Sequence, residues 1–131
     1  MANVFFISSN TPSSKNSKQW TGSMLINSKT VRNWQRISKG DWLSQKIAFK
    51  NLIKDLPKPV FIHMTFVRGS RRRFDYVNPC QTVLDEMKHY KWIEDDNTDE
   101  VVPLFGRYSY DKKKPGVYIR ILSAKPQYDF L

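Results

Sequence analysis

The sequence predicts one α/β or α+β domain covering residues 1–131, in which a single mixed β-sheet packs against two main helices. The chain has 131 residues, enough for one compact core and too few for a second. Its composition is 40% hydrophobic and 14% aromatic, as in globular proteins and unlike disordered chains. Along the chain, apolar patterns typical of strands and helices follow the order strand, helix, strand, helix, strand, strand.

The first half of the chain predicts a strand followed by a polar loop and a long helical region. Residues 3–8 are rich in β-branched and aromatic side chains, which favours a strand. Residues 9–22 predict a polar loop, and residues 24–28 predict a short strand or an extended link. Helical spacing of apolar residues then runs over residues 30–56.

This helical region is expected to be interrupted. Gly40 would divide it into a short helix and a longer one, with Asp41 as the N-cap of the second. Pro57 and Pro59 end the region. The apolar positions assigned to it are Val31, Trp34, Ile37, Leu43, Ile47, Leu52, Ile53 and Leu56.

The second half of the chain predicts three strands and one further helix. The strands cover residues 60–67, 101–108 and 116–122, with a basic loop at 68–73 and a Lys-rich turn at 111–115. Asn78 is expected to cap a helix that has Pro79 in its first turn and ends near residues 90–92. The apolar stripe of this helix is Cys80, Val83, Leu84 and Met87.

Charge and cysteine content limit the kinds of partner and compartment. The net charge of +10 favours a polyanionic partner, although basic small proteins also bind acidic proteins or anionic lipid surfaces. No apolar run approaches the ~18 residues that span a bilayer, and residues 1–10 lack the pattern of a signal peptide. A single cysteine, Cys80, excludes an internal disulfide and a zinc site built on several cysteines. We therefore expect a soluble protein of a reducing compartment.

The acidic residues are concentrated in one part of the chain. Residues 75–100 contain eight acidic and two basic residues, whereas the rest of the chain has twenty basic and four acidic ones. Such an acidic island suits a metal-dependent nuclease, in which a basic surface holds phosphates and carboxylates hold a divalent cation. A solvated acidic face explains the same charge pattern equally well.

A candidate metal site follows from the spacing of the polar residues. Asp75 lies in the loop between a predicted strand and a predicted helix, where the backbone can aim a carboxylate at a ligand. Asn78, Gln81 and Asp85 are spaced by three and four residues, so they share one helix face, and residues 95–96 add a second acidic loop. Mg²⁺ prefers oxygen ligands and keeps several waters, so two or three carboxylates suffice. Taken singly, Asn78 is better explained as a cap and Asp85 as a surface charge.

These residues resemble the motifs of RusA-type Holliday junction resolvases. That family has an arginine-rich run, Asp-x-Asp-Asn, a lysine three residues later, a Leu/Phe-Asp in the next helix and an Asp-Asp pair. This chain reads Arg71-Arg-Arg-Phe-Asp75-Tyr-Val-Asn78, then Leu84-Asp85, and then Trp92-Ile-Glu-Asp95-Asp96. The likeness covers residues 71–102, and a weaker one occurs at Pro12-Ser-Ser-Lys-Asn16.

The resemblance implies a RusA-like fold and a magnesium-dependent endodeoxyribonuclease, with Mn²⁺ as an alternative metal. Such an enzyme resolves four-way DNA junctions by paired nicks, acting as a homodimer in the cytoplasm of a bacterial or phage-infected cell. By the same resemblance, Asp75 and Asp96 are catalytic residues that hold the metal and activate water. Asp95 and Asp85 match the remaining acidic positions and are further candidate ligands.

Two positions depart from the family pattern. Val77 stands where the family has its second motif aspartate, and Gln81 stands where it has a catalytic lysine. The first change should weaken cation binding, and the second removes a charge that stabilises the transition state. Asp99 or Glu100 are candidate replacements for the carboxylate, and Gln81 can still position water or phosphate as a neutral donor.

Basic residues on both sides of the motif are candidate DNA contacts. Three arginines precede Asp75 directly and can clamp phosphates beside the metal. For the lysine triplet of the predicted turn, a solvated turn is the alternative. The candidate DNA-binding residues are Lys15, Lys18, Arg71, Arg72, Arg73, Asn78, Lys112, Lys113 and Lys114. Trp20, Trp34 and Trp42 can stack on exposed bases, although core or dimer packing is the expected role of the last two.

Two other functions fit the sequence. The chain can be a DNA-binding protein that kept the fold and lost catalysis at Val77 and Gln81. It can also be a basic adaptor that binds an acidic protein. Salt-sensitive junction binding without cleavage would indicate the first, and equal binding of branched and linear DNA would indicate the second.

Overall fold

A computed structural model describes residues 3–13, 18–20 and 25–123, with the backbone alone for residues 18–20 and 25–27. The elements are β1 (Val4–Ser8), β2 (Lys18–Trp20), β3 (Leu25–Asn27), α1 (Lys29–Ile53), β4 (Val60–Arg68), α2 (Val77–His89), β5 (Val101–Phe105), β6 (Ser109–Tyr110) and β7 (Gly116–Leu122). Five of these strands form one mixed sheet, and side chains of both helices join its core. The predicted α+β class is confirmed.

The main sheet has the strand order β1-β7-β4-β5, and β6 pairs with the end of β4. The strand β7 is antiparallel to both of its neighbours, with Phe6 opposite Tyr118 and His63 opposite Arg120. Both β5 and β6 run parallel to β4, which makes the sheet mixed. Since β4 lies between β6 and β7, the Lys-rich turn connects two strands that are not neighbours.

Two strand predictions need correction. The strand expected at residues 101–108 is divided into β5 and β6, with Gly106 between them. A Cβ at Gly106 would lie 3.0 Å from Cε1 of His63, so the chain turns away at a point of close approach. Residues 18–20, expected in a loop, form β2 and pair with β3. Strands of three residues are too short for alternation to show in the sequence.

The core lies between the helices and one face of the sheet. Every second residue of β4 from Val60 to Phe66 is buried, and β1 and β7 show the same alternation. This is the pattern of a sheet that packs on one face only. The helix side chains that meet this face are Trp34, Trp42 and Phe49 of α1 and Cys80, Val83, Leu84 and Met87 of α2.

The helix α1 runs without a break through Gly40, contrary to the prediction of two helices. Its N-cap is Ser28, whose side chain accepts a hydrogen bond from the Val31 backbone N–H. Because the helix is continuous, its phase is kept, and Val31, Trp34, Ser38, Trp42 and Phe49 all face the core. Three apolar residues assigned to the core are exposed instead: Ile37, Leu43 and Ile47.

Gly40→Ala is expected to raise the free energy of unfolding by about 0.5–1 kcal/mol, since glycine inside a helix costs this much relative to alanine. The site is exposed, and an added Cβ at Gly40 meets no atom within 4 Å. Urea denaturation measures the change. The contrasting variant is Gly116→Ala, which should destabilise because its Cβ would overlap the Ile7 carbonyl oxygen and the Phe6 ring. Equal stability of Gly40→Ala and wild type would contradict the prediction.

The outer edge of the sheet at β1 is covered by polar side chains of α1. Gln45 donates to the carbonyl oxygen of Phe6 at 2.9 Å and accepts from its N–H at 3.3 Å. Asp41 accepts from the Ser8 N–H at 2.9 Å and from the Ser8 hydroxyl at 2.7 Å. Asp41 therefore ties α1 to β1 and does not cap a second helix, as the sequence had predicted.

Candidate functional site

The helix α2 begins at Val77, two residues after Asp75, with Tyr76 as its N-cap. Asp75 accepts the Val77 backbone N–H at its Oδ1 (3.2 Å) and the side-chain amide of Asn78 at its Oδ2 (3.0 Å). Asn78 is therefore not the helix cap that the sequence predicted. The side chain of Asp75 satisfies one of the free N–H groups of the first turn instead. Asn78 lies inside the helix and helps to hold the Asp75 carboxylate in place.

Gln81 lies one turn further along α2 and joins two more carboxylates. Its Nε2 donates to Oδ1 of Asp85 at 2.7 Å and to Oδ2 of Asp96 at 2.9 Å. Because the amide nitrogen carries two hydrogens, one side chain serves both acceptors. The loop after α2 is thereby drawn against the helix, and the carboxylates of Asp85 and Asp96 lie on either side of one nitrogen.

The five residues Asp75, Asn78, Gln81, Asp85 and Asp96 form what we call the polar file. Asn78 and Gln81 are three residues apart on α2, so their side chains are neighbours on one face. Asp75 contacts the first amide and Asp96 contacts the second. Asp75 and Asp96, which are twenty-one residues apart in the chain, thus lie on the same side of the molecule. Gln81 and the three aspartates are at least partly accessible to solvent.

Asp95 lies beside Asp96 and is held mainly by hydrogen bonds within its own loop. Its Oδ1 accepts the Asp96 backbone N–H at 2.8 Å, and its Oδ2 accepts the side-chain amide of Asn97 at 3.0 Å. These hydrogen bonds, the backbone one first, hold the pKa of the Asp95 carboxyl below its ordinary value. Lys88 lies 3.5 Å away and adds a weak, exposed ion pair. Asp95 shapes the loop that presents Asp96.

A shallow pocket of about 310 Å³ opens at the start of the polar file. Its floor includes Asp75 and Asn78, and Arg68 and Arg73 line it together with residues 11–13 of the N-terminal segment. Arg68 donates from Nη1 to the carbonyl oxygen of Thr11 at 3.0 Å and lies 4.5 Å from the centre of the Phe74 ring. Burial lowers the pKa of Arg68, but a guanidinium stays charged at neutral pH. The pocket therefore places cations beside Asp75.

Arg68 was not predicted from the sequence to be a functional residue. It ends the apolar strand β4, and a charged residue at the end of a buried run was the available signal. Arg71 stacks on the Tyr110 ring at 4.1 Å, and Arg72 and Arg73 are exposed. The lysine triplet lies in an exposed turn in which Asp111 accepts the backbone N–H groups of Lys113 and Lys114. Lys15 lies outside the described residues, Lys18 begins β2, and Trp34 and Trp42 are core residues.

The polar file supplies the oxygen ligands that Mg²⁺ prefers. No group of three or more His, Cys, Asp or Glu side chains is arranged around a metal position in the part of the chain that the structure describes. Magnesium needs only one or two carboxylates and completes its shell with water, so Asp85 and Asp96 are suitable ligands by their chemical type. Asp75 would add a third carboxylate, on the other side of the Asn78 and Gln81 side-chain amides. Glu100, one of the candidate replacement carboxylates, forms an ion pair with Lys58 at 2.7 Å. Val77, which stands at the other departure from the family pattern, is 70% exposed.

The chain matches no protein-family model and no curated protein. The chemistry of the site therefore rests on its own residues. Neither helix in residues 25–123 combines the length and apolar character needed to cross a membrane.

Glu86, on the side of α2 that faces α1, is a buried acid whose titration should affect stability. It accepts a hydrogen bond from Gln35 of α1 at 3.1 Å, and burial raises the pKa of its carboxyl above the ordinary value. The folded protein thus holds this proton more tightly than the unfolded chain. The resulting stability is fully present below the unfolded pKa and is lost as pH rises through the folded pKa.

Glu86→Gln is therefore expected to stabilise the protein at neutral pH, because glutamine imitates the protonated acid and can still accept from Gln35. Denaturant unfolding over a pH series measures this. The difference from wild type in free energy of unfolding should be smallest at about pH 4, where the unfolded carboxyl is largely protonated, and should grow toward neutral pH. A difference that does not change with pH would show that Glu86 does not titrate as inferred.

Proposed function

We propose that this protein is a RusA-type endodeoxyribonuclease that nicks four-way DNA junctions in the presence of magnesium, acting as a homodimer in the cytoplasm. The observation that carries the proposal is the polar file, which holds Asp75 and Asp96 on one helix face beside an arginine-lined pocket. Carboxylates that hold a divalent cation beside phosphate-binding groups are suited to metal-dependent hydrolysis of a phosphodiester. The sequence motif is the second support.

In this proposal the residues of the chain divide the work. Arg68, Arg73 and the neighbouring arginines hold the phosphates on either side of the scissile one. Asp75 and Asp96, with Asp85 in support, would hold Mg²⁺ or Mn²⁺, which supplies charge neutralisation at the phosphate and activation of water. Asn78 and Gln81 fix the carboxylates in position before DNA binds.

A second candidate is a branched-DNA-binding protein without nuclease activity, and one observation favours it. Gln81 donates to both Asp85 and Asp96, so a neutral amide occupies the position at which the family lysine would bring positive charge. Val77 likewise offers no carboxylate beside Asp75. If this candidate is correct, the double variant Val77→Asp and Gln81→Lys should gain nicking activity that the natural chain lacks.

The proposed homodimer is supported by the exposed apolar residues of α1. Leu43 and Ile47 are one turn apart and are 53% and 74% exposed, which is unusual for large apolar side chains. A second copy would bury them, and two-fold symmetry would place one polar file on each of two opposed strands. Ile47→Glu is expected to shift sedimentation from dimer to monomer, with Ile47→Ala as the milder control. A wild-type monomer at micromolar concentration would contradict the dimer.

The test of function compares a synthetic four-way junction with a linear duplex of the same sequence. Each is incubated with the protein and Mg²⁺, Mn²⁺ or a chelator, and products are resolved under denaturing conditions. We expect symmetrical nicks in the junction only, with either metal and not with chelator. Salt-sensitive junction binding without nicks would support the second candidate. Equal affinity for the two DNAs would favour the adaptor that binds an acidic protein.

A further inference from the structure

The face of the main sheet that points away from the helices carries a second group of basic and aromatic side chains. We call it the open face and define it by Phe6 of β1, Tyr118 and Arg120 of β7, and His63 and Thr65 of β4. Strand register places Phe6 opposite Tyr118, Tyr118 opposite Thr65, and Arg120 opposite His63. Directly opposed side chains lie about 5 Å apart at their Cβ atoms, so the five form one surface.

The aromatic part of the open face is a pair of rings in contact. The centres of the Phe6 and Tyr118 rings are 4.7 Å apart, at an angle of 49°. Lys114 places its ammonium 5.1 Å from the centre of the Phe6 ring. Tyr118 is 39% exposed, so one side of this pair is available to a further ring. Aromatic residues on a strand surface with a cation beside them can stack on nucleobases.

The polar part of the open face adjoins the rings. A hollow of about 340 Å³ is lined by Val4, His63, Thr65, Tyr118 and Arg120. Thr65 Oγ1 and His63 Nδ1 are 3.5 Å apart, and Arg120 is exposed with no acidic partner among residues 3–13 and 25–123. The strands β1, β4 and β7 contain no Asp or Glu at all. Among the five residues of the open face Arg120 carries a fixed positive charge, and Lys114 adds a second beside Phe6.

We propose that the open face binds single-stranded nucleic acid. Bases would stack on Tyr118 beside Phe6, and the backbone phosphates would contact Arg120 and Lys114, with the Thr65 hydroxyl as a further donor. The positive charges of Arg120 and Lys114 favour a polyanion, and the exposed ring of Tyr118 favours one whose bases are unpaired, because paired bases hide their faces. This surface lies across the sheet from α2, so its binding does not depend on the polar file or on cleavage.

The test measures binding of a fluorescent oligothymidylate of about fifteen nucleotides by anisotropy, in chelator so that cleavage cannot contribute. Tyr118→Ala and Arg120→Gln are each expected to weaken binding about tenfold, and Tyr118→Phe should retain it because the ring remains. Arg120→Gln should also reduce the slope of affinity against salt by about one contact. Arg36→Gln, which removes an exposed charge from α1, is the matched control and should have no effect.

Two further measurements keep the result unambiguous. Thermal unfolding must show that the Tyr118 and Arg120 variants are folded, and Asp75→Asn should bind the oligothymidylate as wild type does even if it loses nicking. Affinity of Tyr118→Ala equal to that of Tyr118→Phe would overturn the proposal. So would sedimentation showing that Tyr118→Ala turns a dimer into a monomer, because the open face would then be a subunit interface.

Discussion

Asp96→Asn is expected to reduce the rate of junction nicking by about 10³-fold or more while leaving junction affinity nearly unchanged. Asp96 is the only member of the polar file supplied by the loop after α2, and its Oδ2 accepts from Gln81 at 2.9 Å. Asparagine keeps the shape and can still accept that hydrogen bond through its carbonyl oxygen. What it removes is the negative charge that a divalent cation requires. Loss of rate without loss of binding would identify Asp96 as part of the reaction centre.

The matched control is Glu94→Gln, which removes the same charge two residues away. The Glu94 side chain is exposed and lies outside the polar file. We expect its nicking rate to remain within about twofold of wild type. Asp75→Asn should behave as Asp96→Asn does, since asparagine can still accept the Val77 N–H. Nicking by Asp96→Asn at the wild-type rate would contradict the proposal that the polar file is the reaction centre.

Trp92→Ala is expected to lower the free energy of unfolding by about 3–5 kcal/mol, a large part of the total stability of a domain of this size. Trp92 is 1% exposed and follows α2 directly. The centre of its ring lies 4.6 Å from that of Phe49 and 5.0 Å from that of Trp42. Its Nε1 donates a hydrogen bond to the Trp42 carbonyl oxygen at 3.0 Å. Truncation leaves a cavity and removes the hydrogen bond to the Trp42 carbonyl oxygen.

Urea denaturation of a series measures this effect. Trp92→Phe keeps most of the ring volume and loses the hydrogen bond, so it should cost clearly less than Trp92→Ala. Lys39→Ala, at an exposed position of α1, should change stability by less than about 0.5 kcal/mol. Similar losses for Trp92→Ala and Lys39→Ala would contradict the description of the core. The Trp92 result also bears on the site, because this residue sets where the Asp96 loop leaves the core.

How much of the fold can be predicted from the sequence depends on the element. The strand β4 was predicted to within a residue because its alternation runs from Val60 to Phe66, long enough for a period of two to be recognised. The break at Gly40 was wrong because helix propensity is a weak local preference. Packing of Ser38 and Trp42 in one continuous phase overrides it: Ser38 donates to the Trp34 carbonyl oxygen and accepts from Trp42 Nε1.

For the candidate site, spacing predicted which residues share a face, and the structure added which of them touch. The offsets from Asn78 to Gln81 and Asp85 follow from helix geometry alone. The contact between Gln81 and Asp96 could not be predicted in this way, because it depends on how a loop folds back after α2. The same limit applies to Arg68, which contacts the N-terminal segment fifty-seven residues away. Long-range contacts of this kind leave no periodic trace in the sequence.

The polar covering of β1 by Gln45 and Asp41 has a consequence for self-association. A cross-β fibril can grow only if each molecule has two free strand edges, because each molecule must pair with a neighbour on both sides. Here one side is closed by α1, and the other side is the short strand β5, in which Pro103 lacks an amide hydrogen. Pairing of this sheet between molecules can therefore produce a dimer through the β5 edge but not a continuous fibril.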